Sequence, residues 1–292
     1  MHLPAKKSLG QNFLKSKEAL RAIITAGNIS AADTILEVGP GKGALTELLL
    51  PLAGKVIAVE KDARLIPLLQ ERFVEEIKIG KLEIIEGDIL EYRPDPQPLR
   101  ATPPNLGGDR GRYKIIANIP YYITGVFLKK FLTENFKPSL MVLLLQKEVA
   151  ERIVARDNKE SILSLSVKAY GTPKYVMTVK AKYFSPAPKV DSAIILIDNI
   201  SQDFFKDISE EKFFQIVKAG FAHKRKMLAG NLKSLLPPQP LLAQEGCPFP
   251  EQGKGLGKGC FEDTFKSLGI HEKARAEDLS LEQWKKLAGK LQ

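Results

Sequence analysis

The chain has 292 residues, 44% of them hydrophobic, which suits one large or two modest domains with a full core. Lysine and arginine number 44 against 34 aspartate and glutamate, a formal balance of +10 with a pI near 9.4, and this points to a polyanionic partner, nucleic acid first. The two cysteines, Cys247 and Cys260, come with no CxxC pair or His-rich cluster, which argues against a zinc site or a disulfide scaffold, so no metal is expected. Apolar runs such as Met141–Leu145 and Ala193–Ile197 are too short to span a bilayer, and the N-terminus lacks the apolar stretch of a signal peptide, so a cytoplasmic protein is expected.

Residues 4–14 carry Lys6 and Lys7 and then a polar, Gly-containing segment through Asn12, Phe13 and Leu14, which reads as an ordered basic arm. Ser16 precedes an amphipathic helix, Glu18–Ala26. Thr34–Val38 is a short β-rich run ending in Gly39-Pro40-Gly41-Lys42-Gly43, and Ala44–Leu50 reads as a helix. Strand, glycine-rich turn and helix form the first unit of a nucleotide-binding α/β domain. Lys55–Glu60 is the second strand, and Glu60 falls where a ribose-hydroxyl acceptor is expected.

Gly39, Gly41 and Ala44 also satisfy the dinucleotide pattern, so a nicotinamide cofactor competes at this point with S-adenosylmethionine. Two features favour the latter. Gly43 gives a GxGxG spacing, suited to a cofactor with no pyrophosphate, and Asp88, after the strand Lys81–Glu86, is placed to accept from an adenine amine. The plain reading of Asp88 is a turn or cap residue.

Arg93–Arg112 is rich in proline and glycine and reads as a long surface loop before the strand Tyr113–Ala117. That strand delivers Asn118-Ile119-Pro120-Tyr121, a stiff loop at the carboxyl edge of the sheet, where ligands sit in open α/β folds. The exocyclic amine of a nucleobase is a poor nucleophile, because its lone pair is delocalised into the ring. The side-chain oxygen of Asn118 and the carbonyl of Ile119 or Pro120 can hold the amine hydrogens, and Tyr121 offers a stacking face. A proline turn with Asn satisfying local backbone is the structural alternative.

Further on, the patterns give a helix over Val126–Thr133, a strand over Ser139–Gln146, helices over Glu148–Ala155 and Ser161–Tyr170, and strands over Lys174–Val179 and Ala193–Ile197. Between these last two strands, Pro186 and Pro188 make a rigid loop that is expected to hold Phe184 at the pocket mouth, opposite Tyr121, around a flipped-out base, the structural alternative for Phe184 being a core residue at a strand end. Helices follow over Ser209–Ala219 and Met227–Leu236, flanking a basic cluster that contains Lys224, Arg225 and Lys226. Pro237–Gly259 reads as a second loop, Glu262–Leu268 as a short helix, and Ser280 with Gln283 as a capping box before a last helix in which Trp284 anchors a core. The expected boundaries are an α/β domain at 1–198 and a helical, RNA-binding domain at 199–292.

Taken in order, the segments Lys7–Leu14, Glu37–Gly43, Glu60, Gly87-Asp88, Asn118–Tyr121, Phe184–Ala193 and Phe221–Leu228 resemble the ribosomal RNA adenine dimethyltransferases, nearest to the bacterial small-subunit branch. The resemblance implies a Rossmann-like class I methyltransferase domain dependent on S-adenosylmethionine, followed by a small all-α C-terminal domain. It implies N6,N6-dimethylation of two adjacent adenosines near the 3′ end of small-subunit rRNA, by a monomer acting on a pre-assembled small-subunit particle. It places Asn12, Leu14, Gly39, Gly41, Glu60, Asp88 and Asn118 around the cofactor, and Asn118, Pro120, Tyr121 and Phe184 around the target base. Lys6, Lys7, Lys224, Arg225 and Lys226 contact the RNA under the same resemblance. The alternatives are a large-subunit rRNA dimethyltransferase that confers antibiotic resistance, a non-catalytic nucleic-acid-binding factor on the same fold, and a nicotinamide-dependent oxidoreductase.

Overall fold

The computed structural model describes residues 4–94, 113–235 and 262–291. The proline- and glycine-rich segments expected as loops at 93–112 and 237–259 lie outside the described residues, Arg93 and Pro94 excepted. The chain divides into two compact units, one of Met1–Val154 with Tyr170–Ser201 and the other of Ala155–Ala169 with Gln202–Gln292. The division departs from the sequence-based boundary in two respects, one of them small: residues 199–201 fall in the first unit. Residues 155–169, placed above in the first domain, belong to the second unit.

In the first unit, short β-rich runs pair into one sheet. The strands are β1 (Phe13–Leu14), β2 (Thr34–Val38), β3 (Lys55–Glu60), β4 (Leu82–Glu86), β5 (Lys114–Asn118), β6 (Leu140–Gln146), β7 (Thr172–Val179), β8 (Phe184–Ser185) and β9 (Ser192–Asp198). The seven-stranded sheet has the order β4-β3-β2-β5-β6-β9-β7. β4, β3, β2, β5 and β6 run parallel, while β9 is antiparallel to both β6 and β7. The central strands are continuous apolar runs because helices cover both faces, whereas β7 alternates exposed and covered residues, as an edge strand does. Pro173 is tolerated at that edge.

Chain order places the switch in sheet direction between β2 and β5, which are direct neighbours. The turn after β2 and the loop after β5 therefore open on the same crevice. Helix Lys17–Gly27 packs on β5, β6, β7 and β9, and is started by Ser16, whose side chain accepts from the Ala19 N–H. β1 and β8 form a separate antiparallel pair, Phe13 opposite Ser185 and Leu14 opposite Phe184, which closes the N-terminal arm onto the crevice wall.

The described secondary structure of the second unit is helical. Trp284 is fully buried and stacks on Phe221, their ring centroids 5.7 Å apart. Gly220 lies beneath that indole, where an added Cβ would stand 2.3 Å from the ring. The capping box of Ser280 and Gln283 forms as the sequence suggests. Among the described residues no helix is long and apolar enough to cross a membrane.

Candidate active site

The crevice holds a cavity of about 320 Å³ lined by the arm, the glycine turn, the ends of β3 and β4, and the loop after β5. The glycine turn is built by backbone geometry that side chains resist. Gly39, Gly41 and Gly43 have φ of 67°, 61° and 80°. A Cβ on Gly43 would lie 2.6 Å from the Phe73 ring, and one on Gly41 would lie 3.0 Å from Phe13.

Glu60 organises this wall. It is buried at the end of β3, and its two oxygens accept from the N–H of Gly41 at 3.0 Å and of Asp62 at 2.8 Å. Burial raises its pKa, while those backbone donors hold it down in part. Each carboxylate oxygen keeps a second lone pair, so the group remains a fixed acceptor for a diol. Asp62 accepts from Arg64 and from Gln11 Nε2 at 2.8 Å, and Arg64 holds its carboxyl well below the usual range. Gln11 in turn accepts from the Lys6 N–H at 2.7 Å, so the arm is moored to the end of β3.

Asp88 lies on the cavity wall after β4. One oxygen accepts from the Leu90 N–H at 2.9 Å, as the plain capping reading has it, and the other accepts from Lys61 Nζ at 2.6 Å. Partial burial pushes this carboxyl up, but the Lys61 ammonium and the Leu90 donor outweigh it and the net shift is downward. An adenine amine at Asp88 shares this carboxylate with Lys61.

Sequence reasoning assigned no role to Glu37, yet it is the most perturbed acid of the site. It is 1% exposed at the end of β2 and lines the cavity, and neither carboxyl oxygen has a hydrogen-bond partner among the described residues. The Thr46 hydroxyl is equally without one. Burial pushes the Glu37 pKa up to about 8 and the charge of Glu60 adds to this, while the neighbouring Thr46 side chain and N–H hold it down in part. The signal was in the sequence, since an acid within the buried run Thr34–Val38 is costly unless something pairs with it.

On the opposite wall, Asn118 Nδ2 donates to the Asn12 carbonyl at 3.1 Å. That leaves Asn118 Oδ1 as an acceptor with no partner among the described residues. Asn12 Nδ2 donates to the Gly10 carbonyl at 3.1 Å, which shapes the arm around this contact. The Pro120 carbonyl accepts from the Ile123 N–H at 3.1 Å and keeps one lone pair. The Tyr121 hydroxyl and Ser192 Oγ are 2.7 Å apart, and burial raises the phenol pKa.

Asn12, Leu14, Gly39, Gly41, Glu60, Asp88, Asn118, Pro120 and Tyr121 thus converge on one cavity. Phe184 does not. It is 4% exposed and packs into the apolar cluster that includes Leu20, Ile23 and Ile194. Of the two readings of Phe184, the β1–β8 pairing agrees with a core residue at a strand end, not with a position at the pocket mouth. Alternation along β8 turns Phe184 into the core and leaves Ser185 on the cavity. Lys6 is exposed at the base of the arm; the Lys7 side chain lies outside the description. Lys224, Arg225 and Lys226 are all exposed in the second unit, and none has an acidic partner among the described residues.

A parallel sheet with one antiparallel strand inserted next to its edge, a glycine turn after the first sheet strand and an acid after the second define a class I methyltransferase. The chain belongs to the ribosomal RNA adenine dimethylase family, whose model matches residues 3–246. It is 40% identical over 285 residues to ribosomal RNA small subunit methyltransferase A of Dehalococcoides mccartyi, covering 98% of this chain and 88% of that one. It is 36% identical to the protein of the same name in Fusobacterium nucleatum, covering 97% and 96%. A dimethyladenosine transferase from Plasmodium falciparum superposes with a TM-score of 0.73 at 28% identity, covering 94% of this chain and 95% of that one. The 23S rRNA methyltransferase ErmE shares the fold, with a TM-score of 0.70 at 22% identity over 96% and 99%.

Proposed function

We propose that this chain uses S-adenosylmethionine to dimethylate N6 of two adjacent adenosines near the 3′ end of small-subunit rRNA. The observation that carries the reading is the placement of the Asn118–Tyr121 loop opposite Glu60 and Asp88 in one cavity. The residues present fit the cofactor. Glu37 is a buried carboxyl whose charged form a bound cation would favour, drawing down its raised pKa, Glu60 is a fixed acceptor suited to a ribose diol, and Asp88 is a further acceptor on the wall. When bound, the cofactor supplies an electrophilic methyl group on a sulfonium.

The protein's part is alignment and exclusion of water. Asn118 Oδ1 and the Pro120 carbonyl accept the amine hydrogens of the target base, so that its nitrogen lone pair points away from them and into the cavity. Charge developing on that nitrogen is stabilised by the same acceptors. Tyr121, steadied through Ser192, presents its ring to the base. Phe184 serves as a second face only if the β8 segment moves. Lys6, Lys7, Lys224, Arg225 and Lys226 supply phosphate contacts under this reading, and the protein acts as a cytoplasmic monomer on an assembled particle.

The test is transfer of labelled methyl groups to small subunits lacking the modification, with naked small-subunit rRNA and large-subunit rRNA in parallel. Label in the terminal adenosines, lost in Asn118→Ala, is expected. Label confined to large-subunit rRNA would move the chain to that branch, and naked rRNA methylated as fast as particles would remove the requirement for assembly.

A further inference from the structure

One surface at the cavity mouth has no part in the reading above. Tyr122 lines the cavity beside Pro120 and Tyr121, yet it is 61% exposed. Its ring lies over Gly10, where an added Cβ would stand 3.5 Å from the ring edge. Tyr121 is tied inward through Ser192, whereas the Tyr122 hydroxyl has no hydrogen-bond partner among the described residues.

Two residues later the helix Thr124–Thr133 begins. Spacings of three, four and seven put residues 125, 126 and 129 on the face that Tyr122 opens. Val126 is 59% exposed, so two large hydrophobic side chains, Tyr122 and Val126, stand in solvent within four residues of each other. Gly125 is exposed, with nothing within 4 Å of an added Cβ. Lys129 is exposed and has no ion pair among the described residues. The opposite face, with Phe127, Leu128, Phe131 and Leu132, is buried, so Val126 and Lys129 lie on the face that the helix leaves to solvent.

From Tyr122 to Lys129 the ridge runs about 10 Å at the helical rise. A cofactor held within the cavity cannot reach along it, but a polymer that places one unit in the cavity must leave by some such surface. An aromatic ring, an open glycine and a cation, in that order, match a base, a sugar–phosphate turn and a phosphate. We propose that the face Tyr122–Gly125–Val126–Lys129 holds the nucleotide next to the target adenosine. Tyr122 stacks on its base and Lys129 meets its phosphate. The proposal rests on the rRNA reading given above.

The experiment compares wild type, Tyr122→Ala, Tyr122→Phe and Lys129→Ala on unmodified small subunits, with S-adenosylmethionine affinity measured separately by calorimetry. Tyr122→Ala is expected to raise KM for the particle about tenfold, with kcat and cofactor affinity within about twofold of wild type, and Tyr122→Phe to restore KM. Lys129→Ala is expected to raise KM about threefold and to flatten its salt dependence. Active wild type with an unchanged KM in Tyr122→Ala overturns this inference alone. Equal losses of cofactor and particle binding in Tyr122→Ala assign the ring to the cofactor wall or to the arm over Gly10, which also overturns it. A wild type that transfers no methyl to either rRNA removes the functional reading, and the inference falls with it.

Discussion

At the ends of β3 and β4 the polar groups of the cavity are already bonded to the protein itself. Glu60 holds two backbone N–H groups, and Asp88 holds Leu90 and Lys61. Across the cavity, Asn118 uses only its amine, the Pro120 carbonyl keeps a lone pair, and Tyr122 stands in solvent. The first wall is preorganised before any ligand arrives, while the second is left open for one. Glu37 is the exception on the first wall, a buried acid whose carboxyl oxygens have no hydrogen-bond partner among the described residues. The difference suits a small cofactor that docks into a finished mould and a large substrate that completes its own half.

Several substitutions would break or sharpen that contrast. The largest effect is expected at Asn118. Asn118→Ala removes the open acceptor and should lower kcat by about a hundredfold or more, read from single-turnover methyl transfer. Its loss of cofactor affinity should be much smaller, and equal losses would show that Asn118 belongs to the preorganised wall instead.

Phe184→Ala should cost about 3 kcal/mol or more in denaturant unfolding, because it empties a core site rather than a stacking face. Phe184→Leu keeps most of the volume and should retain most of the stability. A loss of kcat in Phe184→Leu at full stability would show that the ring visits the base after all.

Glu37 gives a pH-dependent effect. Its folded pKa of about 8 stands above the ordinary carboxyl value of 4.5, so folding holds a proton on it. Its stabilising contribution is fully present below about 4.5 and is lost as pH rises through about 8. Glu37→Gln should therefore flatten the fall in stability between pH 5 and pH 9, a change on the order of a few kcal/mol at the alkaline end. It should also weaken cofactor binding. A wild-type melting temperature that rises over that window would contradict the assignment.

The smallest effect is expected at Tyr121. Tyr121→Phe removes only the contact with Ser192 Oγ, and a severalfold loss in kcat with intact folding should follow.

The contrast between the walls also marks how much was readable beforehand. β2 and β3 fall on the residues their β-rich runs indicate, Thr34–Val38 and Lys55–Glu60, because strands buried on both faces are largely apolar, Glu37 and Glu60 being the exceptions. The glycine turn and the acid after β3 were equally legible, since few residues other than glycine adopt φ near +60° to +80°. Two short helices, Ile66–Arg72 and Val74–Lys78, are only weakly marked in the sequence, by Leu69 and Phe73 at helical spacing. The β1–β8 pair left no local signal at all. Two residues on each side carry no periodicity, and the pairing spans most of the first unit.

By itself, the sequence determined the parallel sheet, the glycine turn, the placing of Glu60 and Asp88 at strand ends, and the loop that follows β5. Each is a local consequence of residue type and spacing. Only the tertiary structure decided that Phe184 turns inward, that 155–169 join the helical unit, that Lys61 competes at Asp88, and that the Glu37 carboxyl is buried with no hydrogen-bond partner among the described residues. Those outcomes depend on which distant segments meet, and burial or pairing across such distances is decided by packing rather than by any run of neighbouring residues.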